Sequence, residues 1–560
     1  MVLFFVVYKT KVIKMRNAMW VGGGITGMGE IPMLGVKEKG IAKVIRDIFR
    51  NGEQGFFYDP NDLSTMYQDV AGTVPVTSVG QPVGLMLDKS KGMVLGGERV
   101  VNYDFSNGNT NWTVRNADAT HAVTFVDGKV RYQSATTTPV LALEQSGVMV
   151  GGKWYEVTVV CSDYVSGSLK IDAANGGVVV ASGLGTFKTK ILALNGVLVL
   201  VRNALNVDLT IDSISVKELA GNHAYQTTSA ARPILRRTPI LGDELAVNAV
   251  SSNGATGWVA ALQSTLTKTG NNLRVTATGS TPYAQQIITN LTIGKTYSVT
   301  IPAALKGASG TWYVYLGNTT GLFKTEYFSR SALIDNTFVF TATSTLLNIQ
   351  VAGANITIGD YGDVQPITVK EVTGYRTDQN YLAFDGSDDF LVTNNIDFTA
   401  TDKVSLFAGV RKLSDSSQGL LTELGNAVSN SFLAHVGGGS GIESYTFGSR
   451  GNGLYSYAIL TKSANPTLTA PHSSVVSAKS DISSNISYIK ANGRAVTNSI
   501  DQGGGTYGNL PLFIGRRGGT SLPFNGHLYS LIGIGKLTSD KETVAIEKEL
   551  AKRVGVTLNV

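Results

Sequence analysis

The chain has 560 residues, of which 64 are glycine and 16% are charged, a composition that favours strands and turns over helices. Its formal net charge of +6 arises within residues 1–50, so the rest of the chain is neutral overall and offers no support for a nucleic-acid-binding surface. The single cysteine, Cys161, excludes an intrachain disulfide, and the five histidines lack the spacing of a metal site.

Residues 1–55 form the first predicted unit, a short arm with one helix. Residues 1–8 are apolar but too few to span a bilayer, and no cleavage site follows, so we expect neither membrane insertion nor a secretory leader. Met15 is an alternative start. Residues 36–49 carry an apolar stripe at helical spacing, formed by Ile41, Val44, Ile45 and Ile48. An isolated helix this short is marginal in water, so the stripe is expected to anchor the chain on another protein or to pack on its own next module.

The second unit, residues 56–98, contains the letters YDPNDLSTMYQDVAGTVPVTSVGQPVGLMLDKS. This run resembles a segment of structural proteins from tailed bacteriophages and prophages, where it precedes a lectin-like sandwich. In those phage proteins, a stretch similar to residues 223–233, HAYQTTSAARP, follows the segment directly. Here other residues intervene on both sides of that stretch. We therefore predict two inserted modules, and we expect residues 56–90 and 223–240 to lie against the C-terminal domain.

The two inserted modules, residues 99–221 and 244–375, are separated by a linker at 222–243 and look like copies of one another. Residues 152–159 parallel residues 294–301, residues 214–221 parallel 367–374, and Trp112 parallels Trp258. Dense alternation predicts a β-sandwich in each. The opening VVNYDFSNGNTNWTV resembles carbohydrate-binding-module-like jelly rolls, but the second copy lacks a counterpart of Phe105. Whether both copies bind a ligand stays open, and we expect the matched tryptophans to be core residues.

Residues 376–560 form the last predicted domain. The motifs LAFDGSDDFLVT, VSLFAGVRK, LFIGRR and PFNGHLYSLIGIG occur in this order. Together they resemble the laminin-G-type, concanavalin-A-like lectin/glucanase sandwich. A closing helix should begin at Thr538 or Ser539 and end at Gly555. The predicted fold class is therefore all-β: two jelly-roll-like modules and a C-terminal concanavalin-A-like sandwich, preceded by a short arm with one helix.

No pattern in the chain predicts an enzyme. Sandwich-fold glucanases carry a Glu-x-Asp-x-x-Glu strand that places two carboxylates in one cleft, and this chain has no such run. A Gly-x-Ser-x-Gly elbow is also absent, so no catalytic residue is predicted. Asp385, Asp388 and Asp389 straddle a turn, which they are expected to cap, and a Ca²⁺ contact is the alternative.

A binding role suits the C-terminal domain better. Aromatic rings stack on the C–H surfaces of sugars, and arginines satisfy hydroxyl groups. The loop-rich stretches of this domain supply candidates of both kinds. The alternative is that Tyr445, Phe447 and Tyr457 alternate on a strand and face the core. The predicted carbohydrate-binding residues are Tyr445, Arg450, Tyr455, Tyr507, Arg516 and Arg517.

The resemblances imply a phage virion structural protein, a tail fibre or receptor-binding appendage that adheres to host surface glycans. Its N-terminal region would contact other phage structural proteins, and a homo-oligomer is expected, with a trimer favoured. Two other functions stay open: a capsid decoration or head-fibre protein, and a polysaccharide depolymerase. No cofactor is expected apart from the Ca²⁺ considered at the aspartate turn.

Overall fold

Alternating apolar and polar residues, punctuated by glycine and asparagine turns, form strands along most of the chain. The computed structural model describes residues 40–558 except 173–176, 204, 248–255, 302–303, 319–320, 328–335, 416 and 439–442. The predictions for residues 1–39, including the choice between Met1 and Met15, lie outside this part. Within it the chain is all-β, as predicted, and consists of β-sandwiches with two α-helices.

The elements follow in an order that separates the modules. The N-terminal part contains α1 (Ile41–Ile48), β1 (Gly55–Tyr58), β2 (Met66–Tyr67), β3 (Leu85–Met86) and β4 (Leu95–Glu98). Module 1 contains β5 (Thr113–Arg115), β6 (His121–Val126), β7 (Lys129–Ser134), β8 (Ala142–Gln145), β9 (Trp154–Ser166), β10 (Leu169–Ile171), β11 (Val178–Ala181), β12 (Gly185–Leu192), β13 (Leu198–Arg202) and β14 (Val207–Leu219). The linker contains β15 (Ala224–Tyr225) and β16 (Ile234–Glu244).

Module 2 contains β17 (Val259–Leu262), β18 (Ser264–Thr269), β19 (Asn272–Ala277), β20 (Tyr283–Ile288), β21 (Thr296–Ile301), β22 (Ala304–Lys306), β23 (Thr311–Asn318), β24 (Gly321–Tyr327), β25 (Asn336–Thr341), β26 (Leu347–Ala354) and β27 (Tyr361–Val364). The C-terminal part contains β28 (Thr368–Asp385), β29 (Leu391–Asp397), β30 (Lys403–Lys412), β31 (Gly419–Leu424), β32 (Ser431–Val436), β33 (Glu443–Arg450), β34 (Ser456–Thr461), β35 (His472–Asp481), β36 (Ile486–Ala491), β37 (Arg494–Asn498), β38 (Asn509–Ile514), β39 (Asn525–Ile534) and α2 (Asp540–Val554). Short 3-10 turns lie at Leu63–Thr65, Ser229–Ala231 and Pro466–Leu468.

The C-terminal sandwich is completed by strands from distant parts of the sequence. Its nine-stranded sheet has the order β2-β3-β15-β29-β38-β31-β32-β33-β34. Its ten-stranded sheet has the order β25-β21-β28-β39-β30-β35-β36-β37, with β1 on β39 and β16 on β28. The prediction that residues 56–90 and 223–240 lie against this domain is confirmed, because β1, β2, β3, β15 and β16 all pair within its two sheets.

One close approach explains why β1 fits its neighbour. Phe56 of β1 lies opposite Gly533 of β39. A Cβ at Gly533 would lie 2.2 Å from the Phe56 ring, so only glycine leaves room for that ring. Phe56 is fully buried in the same core cluster as Leu382, Leu406 and Phe432. The N-terminal strand is thus part of the sandwich core.

One sheet of each inserted module has the same strand order, in agreement with the predicted repeat. One sheet has the order β11-β10-β13-β8-β5 in module 1 and β24-β23-β26-β20-β17 in module 2. A buried glutamine closes each module in the same way. The Gln145 side chain accepts the Val101 N–H (2.8 Å) and donates to the Val101 carbonyl (2.9 Å). Gln286 does the same with Val247, at 3.1 and 2.8 Å.

The modules join the C-terminal sandwich in different ways. Module 2 is continuous with the C-terminal sandwich, because the paired strands β16 and β28 run from the module into the sandwich. Strand β28 passes without a break through residue 376, the predicted start of the last domain. Module 1 contacts it through a cluster in which Trp154 packs with Leu85, Leu87 and Leu219. Trp112 is buried in the core of module 1, and Trp258 packs against that of module 2, as expected for core residues.

Two helices cover the outer face of the ten-stranded sheet. Helix α2 begins with a capping box between Ser539 and Glu542 and ends at Gly555 (φ 76°), as the sequence predicts. Helix α1 packs in one cluster with Phe57, Phe407 and α2 residues such as Leu550. No helix in the described part of the chain is long and apolar enough to cross a membrane.

The position of α1 decides between the two roles considered for its stripe. Ile41, Ile45 and Ile48 are buried, and Val44 is partly buried in the same cluster. Because the chain's own residues cover the stripe, its prediction as an anchor for another protein is wrong, and packing on the same chain is the observed role. The described helix begins at Ile41, and residues 36–39 of the predicted helix lie outside the described part.

Candidate functional site

The predicted carbohydrate-binding residues separate onto different sides of the nine-stranded sheet. Tyr445 and Tyr507 are fully buried in the sandwich core. The Tyr445 hydroxyl bonds to Ser474 Oγ (2.7 Å), and the Tyr507 hydroxyl bonds to Ser449 Oγ (2.7 Å). Their prediction as sugar-binding residues is wrong, because neither ring face is open to a ligand. For Tyr445 the alternative, a strand residue facing the core, is correct.

Tyr457 lies on the opposite side, although the same alternative placed it in the core. It pairs with Gly448 across β33 and β34, and Gly448 pairs with Leu433 across β32 and β33. Opposite residues of antiparallel strands share a face. A Cβ at Gly448 would lie 2.5 Å from the Tyr457 ring, so this glycine lets the ring lie flat on the sheet. Tyr457 is therefore a half-buried ring on the outer face.

Three predicted residues, Arg450, Tyr455 and Arg517, meet on this outer face together with Tyr457. The Tyr455 and Tyr457 rings stack with centres 5.2 Å apart and planes 26° apart. The guanidinium carbon of Arg450 lies 4.3 Å from the Tyr455 ring centre. Across strands β34 to β31, Tyr457 lies in one row with Gly448, Leu433 and Glu423. Glu423 in turn bonds to Arg517. We call this surface the tyrosine–arginine face. It consists of the half-buried Arg450, Tyr455, Tyr457 and Arg517 together with the buried Glu423 and His435 that support them.

A hydrogen-bonded triad of Glu423, Arg517 and His435 supports one end of this face. Arg517 Nε donates to Glu423 Oε2 (3.0 Å), and its Nη2 lies 3.2 Å from His435 Nε2. Because a guanidinium only donates, Nε2 is the acceptor and the neutral imidazole carries its proton on Nδ1. Burial, together with Arg517, lowers the pKa of His435 to about 3. Burial also raises the pKa of Glu423, against the opposing effect of Arg517. The triad holds the Arg517 guanidinium in place beside the rings.

Arg450 and Arg516 have structural partners of their own. Arg450 donates to the Ala427 carbonyl (2.7 Å) and to the Val428 carbonyl (3.2 Å), which holds that loop over the sheet. Arg516 donates to the Thr520 carbonyl (3.2 Å) across the turn that follows β38. The structure therefore gives Arg516 a turn-closing contact and does not join it to the tyrosine–arginine face.

The aspartate cluster caps the turn after β28, as predicted. Asp385 Oδ1 accepts the Ser387 N–H (2.8 Å), and Asp389 Oδ2 accepts the Asp385 N–H (3.0 Å). Asp385, Asp388 and Asp389 also offer oxygens that all lie within 4.8 Å of one another. Burial raises the pKa of Asp389 to about 7, and Asp385 and Asp388 add to the shift. The oxygens suit a hard cation such as Ca²⁺.

Sequence reasoning missed Glu423, His435 and Tyr457 as members of the face. Glu423 and His435 each interrupt an apolar strand, GLLTEL in β31 and SFLAHV in β32. An ionisable residue inside such a strand is either paired or functional, which was the available signal. Their meeting with Arg517 depends on the order β38-β31-β32 in the sheet, which no local pattern contains.

Comparisons with known proteins place the chain in no family. No protein-family model matches it, and no curated protein matches it. Among solved structures, the tandem N-terminal CBM22 domains of Xyn10C from Paenibacillus barcinonensis are 11% identical, with 52% of this chain and 100% of that chain covered and a TM-score of 0.19. Domains LG4-5 of mouse laminin α1 are 12% identical, with 53% and 93% covered and a TM-score of 0.24. These similarities are too low to carry an argument, and the fold class follows from the chain's own sheets.

Proposed function

We propose that this chain is a glycan-binding structural protein that adheres through its tyrosine–arginine face. The observation that carries the proposal is the stacked pair of Tyr455 and Tyr457, flanked by Arg450 and by the fixed guanidinium of Arg517. The exposed parts of the half-buried rings supply apolar contacts for the C–H groups of a sugar, and the guanidinium groups supply donors for its oxygens. Because the rings and Arg517 are already held in place, little side-chain freedom is lost on binding.

The sequence resemblance of residues 58–90 extends this proposal to a tailed-phage or prophage virion, with the chain as a receptor-binding appendage. A capsid decoration protein remains the alternative, and imaging of the intact particle distinguishes a tail from a head location. We propose no enzymatic step. Glycoside hydrolysis by the common mechanism needs two carboxyl groups across the sugar, and on this face Glu423 is paired with Arg517.

Replacing Tyr457 with alanine tests the proposed site. Tyr457→Ala in the full chain is expected to weaken binding to purified host capsule or lipopolysaccharide about 10-fold, the size of a lost aromatic stacking contact. Glycan-array binding followed by surface plasmon resonance measures the change. Tyr488→Ala is the matched control, because Tyr488 is half-buried on β36 of the other sheet. Equal affinity of wild type and Tyr457→Ala would count against the site, and release of oligosaccharides would contradict the non-enzymatic proposal.

The aspartate turn gives a pH-dependent prediction. The pKa of Asp389, raised to about 7, lies above its unfolded value, so its stabilising contribution is present below about pH 4 and is lost as the pH rises through about 7. Asp389→Asn stays neutral and keeps an oxygen for the Asp385 N–H. At about pH 8 it is expected to unfold about 3 °C higher than wild type, and this difference should vanish near pH 4. Thermal unfolding followed by circular dichroism measures it.

The same variant tests calcium at this turn. Millimolar CaCl₂ at about pH 8 is expected to raise the unfolding temperature of wild type, because the cation offsets the repulsion among the three carboxylates, and to leave Asp389→Asn unchanged. MgCl₂ is the ion control. Asp501→Asn is the variant control, since Asp501 is an exposed acid that accepts the Gly503 N–H (2.9 Å). A pH-independent effect of Asp389→Asn would contradict the repulsion.

A further inference from the structure

The two modules share the strand order of one sheet but present different outer faces on it. In module 2, the register of β20, β26 and β23 aligns two rows of side chains. Their inward neighbours, including Ala284, Val351 and Val314, are fully buried in the module core, so both rows point away from it. The first row is Tyr283, Ala352 and Tyr313, and the second is Gln285, Gln350 and Tyr315; together they form the tyrosine–glutamine face.

The two glutamine amides of this face are available to a ligand. The three tyrosines and both glutamines are half-buried. Among the described residues, the structure gives the amides of Gln285 and Gln350 no hydrogen-bond partner, whereas inward-facing Gln286 uses its amide on Val247. The two free amides lie directly opposite one another on β20 and β26. Donors and acceptors are therefore concentrated between aromatic rings, and none of the six side chains is charged.

Module 1 provides an internal comparison. At the matching places on its sheet the register aligns Ala142, Val201 and Lys170 in one row and Glu144 with Val199 in the other. Glu144 is paired with Arg115 of the neighbouring strand (2.5 Å). These positions hold aliphatic and charged side chains, without a ring or an amide. The strand order that both modules need is thus compatible with either surface, so the tyrosines and glutamines of module 2 are not required by the fold.

We propose that the tyrosine–glutamine face of module 2 binds an uncharged, hydroxyl-rich chain, a neutral polysaccharide, and that module 1 is a spacer. Aromatic rings receive the C–H faces of sugars, and the amides of Gln285 and Gln350 both donate to and accept from hydroxyl groups. Three adjacent strands span about 10 Å, enough to contact more than one sugar ring. The proposal rests on module 2 alone, so it stands or falls independently of the tyrosine–arginine face.

Affinity electrophoresis of the full chain tests this face. The gels contain one of four soluble neutral polysaccharides: hydroxyethylcellulose, laminarin, yeast mannan or dextran. Wild type is expected to be retarded by at least one of them, equally at low and high salt, because the contact is uncharged. Tyr315→Ala and Gln350→Ala should each raise the apparent dissociation constant about 10-fold. Val199→Ala, which changes the module 1 residue at the place of Gln350, should change nothing.

Two further variants keep the result interpretable. Tyr315→Phe retains the ring and should retain most of the retardation. If Tyr315→Ala unfolds the module, Tyr315→Phe and Gln350→Ala still provide folded variants for the comparison. Tyr457→Ala alters the other proposed site and should leave retardation by the neutral polysaccharide intact. Three outcomes would overturn the proposal: no retardation of wild type by any of the four polymers, unchanged retardation of folded Gln350→Ala, or retardation that salt abolishes. A face that binds only another protein would give the first of these.

Discussion

Residues 376–560, expressed alone, are expected not to fold, although they contain every motif of the lectin-like resemblance. Without the earlier segments the nine-stranded sheet lacks β2, β3 and β15, and the ten-stranded sheet lacks β1, β16, β21 and β25. Eight residues are then missing from the core cluster of the sandwich, among them Phe56, Met66, Met86 and Leu235. Burying a large apolar side chain contributes about 2 kcal/mol, so the loss of these four alone removes about 8 kcal/mol. That loss is comparable to the whole stability of a typical domain.

The matched protein for this test is a chain from which both modules are removed. Leu95 pairs with Leu219 at the ends of module 1, and Ile240 pairs with Gly374 at those of module 2. Opposite Cα atoms in antiparallel strands lie about 5 Å apart, which a two-residue Asn-Gly turn can bridge. This shortened chain, residues 40–95, 219–240 and 374–558, should be soluble and unfold cooperatively. Circular dichroism melting and size-exclusion chromatography compare the two proteins, and cooperative unfolding of the isolated segment at the same temperature would refute the completed sandwich.

The domain arrangement could be predicted from the sequence because the signals for it are local. The run at residues 58–90 and the stretch at 223–233 could be matched as continuous letters, and the repeated Gly-Lys and Val-Lys-Glu strands disclosed the duplication. The partners of those segments followed from the resemblance, and β1, β15 and β16 occupy the expected places. The helix stripe indicated burial correctly. It did not disclose what buries it, since an apolar face fits α2 of the same chain as well as another protein.

The candidate sites were harder to predict from the sequence than the domain arrangement, because they depend on the register between strands. Tyr445 and Tyr457 both lie in alternating runs, and the sequence does not say which set faces the core. The pairing of Gly448 with Tyr457 decides it. The tyrosine–glutamine face depends likewise on Gln285 meeting Gln350, residues that are close only through sheet pairing. Side chains that alternate with a period of two identify the two faces of a strand, whereas the packing of the sheets determines which of these faces is exposed.

Asp88→Ala is expected to cost about 3–5 kcal/mol of unfolding free energy, the largest effect of any single substitution considered for this chain. Asp88 is fully buried, and burial raises the pKa of its carboxyl. Its oxygens accept the backbone N–H groups of Phe57, Ser90 and Asn222, each at 2.8 Å. Alanine leaves all three donors without their acceptor. Urea unfolding of the shortened chain measures the change, since a single sandwich should unfold in one transition.

The position of Asp88 explains why the effect should exceed that of an ordinary turn aspartate. The carboxylate oxygens of Asp88 hold β1 and the start of the linker together, because they accept the N–H groups of Phe57 and Asn222. The backbone N–H of Asp88 donates to His223 Nδ1 (2.9 Å). Asp69→Ala is the control, because Asp69 accepts the Thr73 N–H (2.9 Å) and the Val74 N–H (3.2 Å) in an exposed loop, where water can replace it. It should cost under about 1 kcal/mol. Asp88→Asn keeps one acceptor oxygen and should fall between the two. Equal losses for Asp88→Ala and Asp69→Ala would mean that the segments are held by their apolar residues alone, with the buried carboxylate contributing no more than an exposed one.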